Sequence, residues 1–195
     1  MSARSTPEVV AIGLWIAWLI LWWLAALWRE RAAKQPPPTS QIMYRVLTII
    51  GAVLLFQRIY PPIDVQLWRA PDAIQWSLVG FVVAGLAFTW WARVHLGRLW
   101  SSNVGRKADH RIVDTGPYGV VRHPIYTGIM LAAAATAALR ATVGAWIGMA
   151  LVILGSYIKA RLEERFLREQ LGAEQYDGYA ARVPMLVPRS LFRGL

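Results

Sequence analysis

No cysteine occurs in the 195-residue chain, which excludes disulfides, Cys-ligated zinc, iron–sulfur clusters and a thiol nucleophile. Acidic residues are scarce, with 11 Asp and Glu against 21 Lys and Arg, and the net charge is +10. Also lacking are an internal repeat, a low-complexity tract and a polar stretch able to form a soluble second domain. What remains is apolar: 56% of residues are hydrophobic, 11 are Trp, and mean hydropathy is +0.38, the composition of a membrane protein. The positive charge does not point to nucleic acid, because the basic residues lie in loops between apolar runs and build no recognition helix. Membrane topology and anionic lipid account for them better.

The apolar runs predict an all-α, polytopic membrane helix bundle of about five spans in a single integral membrane domain. Val9 to Trp28 carries no charge and matches a hydrocarbon core of about 30 Å. It is too long and too Trp-rich for the apolar region of a cleaved leader, and its end lacks a small-residue cleavage site. A polar linker with Pro36-Pro37-Pro38 should be stiff and extended. A second span is expected from Ile42 to Tyr60, closed by Pro61-Pro62, with Arg45 and Arg58 snorkelling at its ends. The third runs from Ile74 to Val94, with Trp76, Trp90 and Trp91 at interface depth and Gly80 and Ala84 available for close packing. These three form an N-terminal region, residues 9–94.

Ile125 to Leu139 and Val143 to Ile158 are joined by only three residues, Arg140 to Thr142, which predicts an antiparallel helical hairpin with alanines at its seam. A tail helix, Lys159 to Leu171, should follow as an amphipathic element ended by Gly172. With these spans, 17 Lys and Arg fall on one side and four on the other. That bias predicts an outside N-terminus, with the loop before the hairpin and the C-terminal tail in the cytoplasm.

Both polar segments flanking the hairpin therefore meet at one end. The richer is Gly116 to Gly128, G-P-Y-G-V-V-R-H-P-I-Y-T-G. Gly116-Pro117 marks a turn, Arg122-His123 sets a permanent beside a switchable cation, and Pro124 suits the first position of a helix. A helix start attracts anions, so Arg122 and the backbone N–H groups there would hold a carboxylate or phosphate.

The segments resemble the isoprenylcysteine carboxyl methyltransferase and phospholipid methyltransferase superfamily of integral membrane enzymes. The matching pieces are L-G-R-L-W-S from Leu96, H-R-I-V from His110, the Gly116 motif, R-L-E-E from Arg161 and Y-D-G-Y-A-A-R-V-P-M-L-V-P from Tyr176, in the family's order across residues 96–188. The resemblance implies S-adenosylmethionine as methyl donor. It carries the cofactor-binding role onto Asn103, His110, Arg111, Ile112, Val113, Tyr118, His123, Pro124, Ile125, Tyr126 and Glu163. It also makes Arg122 a catalytic or substrate-orienting group. Lys159 stands where the family often has arginine, so Lys159 and Arg161 both qualify as the cation facing the acceptor. The expected acceptor is lipophilic and enters from the bilayer; a prenylcysteine carboxyl, a phospholipid amine and a small thiol all fit. For an amine, Glu164 is the candidate base. The donor's groups suit these residue types: an anion site for its carboxylate, an acceptor such as Glu163 for its ribose diol, and tyrosine rings for adenine or sulfonium.

Plainer readings compete. Arg122 can anchor lipid phosphate, the histidines and tyrosines can be interfacial, and Glu163 can pair with Lys159, or Glu164 with Arg161 or Arg168, as a solvated helix face. A nicotinamide-dependent membrane sterol reductase and a non-catalytic lipid-binding protein are the rival classes.

Overall fold

The computed structural model describes residues 4–26, 38–57, 64–97 and 112–189. Among these residues are seven helices: α1 (Thr6–Ala26), α2 (Pro38–Phe56), α3 (Asp72–Leu96), α4 (Pro117–Val120), α5 (Pro124–Arg140), α6 (Val143–Leu171) and α7 (Ala173–Arg182). No strand occurs among the described residues. Three helices, α1, α3 and α6, are long and apolar enough to cross a membrane, and α2 holds a shorter apolar stretch. Large apolar side chains such as Ile20 and Trp23 of α1, Ile49 of α2, Phe81 of α3 and Leu154 of α6 point outward. In water such a surface would be costly; in a bilayer it faces solvent of its own polarity. The chain is an all-α integral membrane bundle.

Small residues decide how the helices approach. α3 lies along α5, and α2 along α6. At the first seam, a Cβ added to Gly85 would stand 2.6 Å from the Gly128 carbonyl oxygen, so both glycines are needed for backbone contact. At the second, Gly51 and Gly148 meet in the same way. The expectation for α3 was therefore one position out: Gly80 and Ala84 face outward, and Gly85 makes the close packing. Nor do the hairpin alanines serve only the hairpin, because Ala132 packs against Gly85 of α3 while Ala133 and Ala137 join Leu55, Ala145 and Val152.

Tryptophans of α1 weld it to the core. Trp15 donates its indole N–H to the Thr136 hydroxyl at 3.0 Å, and Trp18 donates to Thr89 at 2.7 Å, so each polar edge is satisfied within the apolar interior.

At the end where α5 turns into α6, Arg140 is 2% exposed. It was counted with the loop cations, but it is the last residue of α5 and donates to the carbonyls of Leu55 and Gln57, closing the C-terminus of α2. Its Nη2 also lies 3.4 Å from Asp64 Oδ1. Helix C-termini present orphan carbonyls and negative dipole ends, which explains a buried guanidinium there. That arrangement also ends α2 at Phe56, short of the expected Tyr60; the latter and Pro61-Pro62 lie outside the described residues.

The tail departs from expectation as well. Residues 159–171 form no separate helix but continue α6 without a break from Val143. Gly172, at φ +94°, then ends it, and α7 folds back.

Candidate active site

Four elements bring polar side chains together at the end of the bundle away from Arg140. These are the N-terminus of α5, the last turns of α6, the return segment after α7, and the start of α2.

Pro124 begins α5 at the position where its missing N–H costs nothing, and His123 is the residue before it. The backbone N–H groups of Arg122 and His123 do not stand open. They donate to the carbonyls of Pro184 and Met185 at 2.8 and 3.1 Å, and Thr127 Oγ1 donates to Leu186 at 2.7 Å. The chain after α7 is thus laid along the helix start.

Arg122 ties these parts together. Its Nε donates to Glu164 Oε1 at 2.7 Å, and its Nη1 donates to the carbonyls of Ala180 and Val183 at 2.9 and 2.6 Å. His123 sits between two carboxylates, with Nε2 3.2 Å from Glu164 Oε1 and Nδ1 3.6 Å from Glu163 Oε2. Burial alone would push this imidazole down; the hydrogen bonds and charges of Glu163 and Glu164 outweigh it and hold the pKa above its ordinary value. The result is a largely buried network in which Arg122 and His123 face the carboxylates of Glu163 and Glu164.

Tyr126, two residues into α5, stacks on His123 with ring centroids 5.5 Å apart and donates its hydroxyl to Glu163 Oε1 at 2.6 Å. Lys159, one turn before Glu163 on α6, carries its ammonium 5.4 Å from the Tyr126 ring and 5.5 Å from the Tyr44 ring of α2. Arg161, two residues on, is exposed. Of the two cations, Lys159 faces the cluster. The carboxylates likewise pair across elements with His123, Tyr126 and Arg122; Arg168 instead meets Asp177 at 2.7 Å.

A tyrosine wall closes the opposite side. Tyr179 donates to the Tyr118 carbonyl at 2.8 Å, and Ile112 packs with Tyr176, Tyr179 and Val183. Burial, ahead of all charges, pushes the Tyr118, Tyr176 and Tyr179 hydroxyls well up, so they remain neutral. The Tyr118 hydroxyl is itself buried and has no hydrogen-bond partner among the described residues. Behind it, His95 stacks on Tyr118 and touches Gly116, where φ is +56° and a Cβ would strike the imidazole at 2.7 Å. Only glycine fits there.

Of the predicted site residues, Tyr118, Arg122, His123, Tyr126, Lys159, Glu163 and Glu164 converge, with Pro124 and Ile125 beneath them. Ile112 belongs to the tyrosine wall, and Val113 is half-buried beside it in sequence. Asn103, His110 and Arg111 lie outside the described residues. Tyr44 and His95 were not anticipated. Tyr44 left a trace, since Gln41, Tyr44, Arg45 and Thr48 mark one helical stripe of polar groups in an apolar helix.

The model of the isoprenylcysteine carboxyl methyltransferase (ICMT) family matches residues 78–169, from α3 to the end of α6. Among curated relatives, a cobalt-zinc-cadmium resistance protein, CzcN, of Cupriavidus metallidurans is 31% identical over 65% of this chain and 55% of its own length. Protein-S-isoprenylcysteine O-methyltransferase B of Arabidopsis thaliana is 29% identical over 75% of this chain and 71% of its own. Methanethiol S-methyltransferase 2 of Bradyrhizobium diazoefficiens is 30% identical over 88% of this chain and 65% of its own. The chain thus spans little more than half the length of the metal-resistance relative and about two thirds of the other two. The family model runs across the clustered residues, and over that stretch the chain is similar to proteins of the isoprenylcysteine carboxyl methyltransferase family.

Proposed function

We propose that this protein is a membrane methyltransferase that moves a methyl group from S-adenosylmethionine to a lipophilic acceptor entering from the bilayer. The observation that carries it is the meeting of Glu163, Glu164 and Lys159 with Arg122, His123 and Tyr126 at one end of the bundle, from segments on either side of the hairpin. Positive charge along the neighbouring loops and tail makes that end the cytoplasmic one.

The residues suit the donor. Glu163 offers a carboxylate for a ribose diol, and the buried Tyr118 hydroxyl offers a hydrogen bond not used by the described residues. His123, whose pKa the two flanking carboxylates raise, and the Tyr126 ring offer an imidazole for the donor's carboxylate and a face for its sulfonium or adenine. When bound, the donor supplies an electrophilic methyl carbon, which takes a lone pair from the acceptor as its bond to sulfur breaks and leaves a neutral thioether. Holding donor and acceptor in line is then the main task of the site. Arg122 performs it indirectly, by fixing Glu164 and the return segment.

Two features favour an anionic acceptor, a carboxylate or thiolate, over an amine. Glu164 accepts from both Arg122 and His123, so it is poorly disposed as the base an amine would need. Lys159 sets a positive charge on the cluster face, which attracts an anion and repels an ammonium. The carboxyl of a prenylated cysteine and a small thiol are the two candidates of that class.

The test is incubation of purified, folded protein with labelled S-adenosylmethionine and a native lipid extract, followed by identification of the labelled product. A carboxyl ester or thioether is the expected product. Failure to bind the labelled donor, or binding of NADPH in its place, would sink the reading.

A further inference from the structure

We infer that Tyr44 of α2 is a positioning residue for this site, and that the N-terminal half of the chain is therefore a working part of it rather than a membrane anchor. The inference rests on the methyl-transfer reading above and concerns a helix that precedes the family-matched stretch.

Tyr44 is 5% exposed, yet it is not merely packed. Its ring is one of two that flank the Lys159 ammonium, at 5.5 Å, and the Tyr126 ring is the other, at 5.4 Å. A lysine side chain is a flexible four-carbon stem ending in a point charge, and in a membrane protein it snorkels toward the nearest headgroup unless something holds it. Two aromatic faces supply that hold through the ring quadrupole, most strongly where water is excluded. Tyr126 then links the same ammonium to the donor-binding carboxylate, because its hydroxyl donates to Glu163. Tyr44 is the only one of these groups brought from the N-terminal region among the described residues.

The seat of Tyr44 is built. Its hydroxyl donates to Gln41 Oε1 at 3.2 Å, an oxygen that also accepts from Arg45 at 2.8 Å, so the ring cannot swing freely. Gln41 is itself 2% exposed. One turn along, Thr48 Oγ1 donates to the Tyr44 carbonyl at 2.7 Å. On the facing helix, a Cβ at Gly155 would fall 2.5 Å from Thr48 Oγ1 and 3.1 Å from that carbonyl. Gly155 lies one turn before Lys159, on the same face of α6. Its missing side chain is what lets α2 come near enough for the Tyr44 ring to reach the ammonium.

The consequence is selective for the acceptor. Loss of the Tyr44 ring removes one of the two faces against the Lys159 ammonium and loosens its placement, while Glu163, His123 and Tyr118 keep their partners from α5, α6 and α7. Acceptor binding should weaken, and donor binding should not.

The experiment compares wild-type protein with Tyr44→Leu, Tyr44→Phe, Lys159→Met and the double variant Tyr44→Leu/Lys159→Met. Methyl transfer is measured to N-acetyl-S-farnesylcysteine and to ethanethiol at saturating donor, and S-adenosylhomocysteine binding is measured by calorimetry. Tyr44→Leu should raise the KM of whichever probe the wild type methylates by about 5- to 30-fold, in keeping with a desolvated cation–π contact, and change S-adenosylhomocysteine affinity less than about 3-fold. Tyr44→Phe keeps the ring and should stay within about 3-fold of wild type. In the Lys159→Met background, Tyr44→Leu should add less than about 2-fold, because the group it positions is gone. Additive losses in the double variant, an unmoved KM, or equal weakening of donor and acceptor would overturn the inference while leaving the methyltransferase reading intact. A wild-type protein that methylates neither probe would overturn both.

Discussion

Arg122 and Glu164 stand 42 positions apart in the chain and meet at 2.7 Å, and the same guanidinium holds the carbonyls of Ala180 and Val183. One side chain thus closes the helix hairpin against the segment that follows it.

Arg122→Ala should cost about 3 kcal/mol of stability, since it leaves a largely buried Glu164 without its nearest partner and two carbonyls without this donor. Arg122→Lys should recover only a small part, because an ammonium cannot reproduce the fork that serves a carboxylate and two carbonyls together. Thermal unfolding in detergent, with donor affinity measured on the folded fraction, checks both.

His123 makes stability depend on pH. Its folded pKa lies above its ordinary value of 6.5, because the Glu163 and Glu164 carboxylates outweigh burial. A raised pKa contributes stability that is fully present below the unfolded value and is lost as pH rises through the folded one. The melting temperature should therefore fall as the medium is taken from pH 6.5 into the alkaline range, and the His123→Gln variant should show a flatter profile. An identical slope in the two proteins would count against the imidazolium.

Two glycines of α3 should respond with opposite sign. Gly85→Ala puts a Cβ 2.6 Å from the Gly128 carbonyl and 2.9 Å from the Ala132 nitrogen, forcing α3 and α5 apart at a cost of about 1–3 kcal/mol. Gly80→Ala meets nothing within 4 Å and should be neutral or stabilising by up to about 1 kcal/mol. Melting temperatures of the two variants decide it.

Arg140→Met removes the donor that closes α2 and should destabilise the bundle by about 3 kcal/mol. Because this residue sits at the end remote from His123, donor affinity of the folded fraction should be unchanged. A parallel loss of donor affinity would show that the two ends are coupled.

Much of the architecture was legible beforehand. Pro124 as a helix start, a short turn before Val143, and the arrival of Arg122, His123 and Glu163 at one end followed from apolar run length and helix punctuation, although the turn is two residues, Ala141 and Thr142, because Arg140 still belongs to α5. The pairing inside the cluster did not. Helical spacing offered Glu164 a partner in Arg161 or Arg168, but the carboxylate turns inward to Arg122, where burial lowers the dielectric and strengthens the bond. Apolar run length puts Arg140 in the hairpin connection, whereas the orphan carbonyls of α2 draw it into the bundle as the last residue of α5.

Sequence alone determined which segments are apolar, how long they run, and hence which polar stretches meet at one end of the bundle. Those properties are local: chain length against bilayer thickness and the residues that start and stop helices. Only the tertiary structure decided which face of each helix turns inward, choosing Gly85 over Gly80 and bringing Tyr44 to Lys159. Lipid tails are as apolar as leucine, so hydrophobicity cannot orient a helix within the membrane, and contact between small residues must.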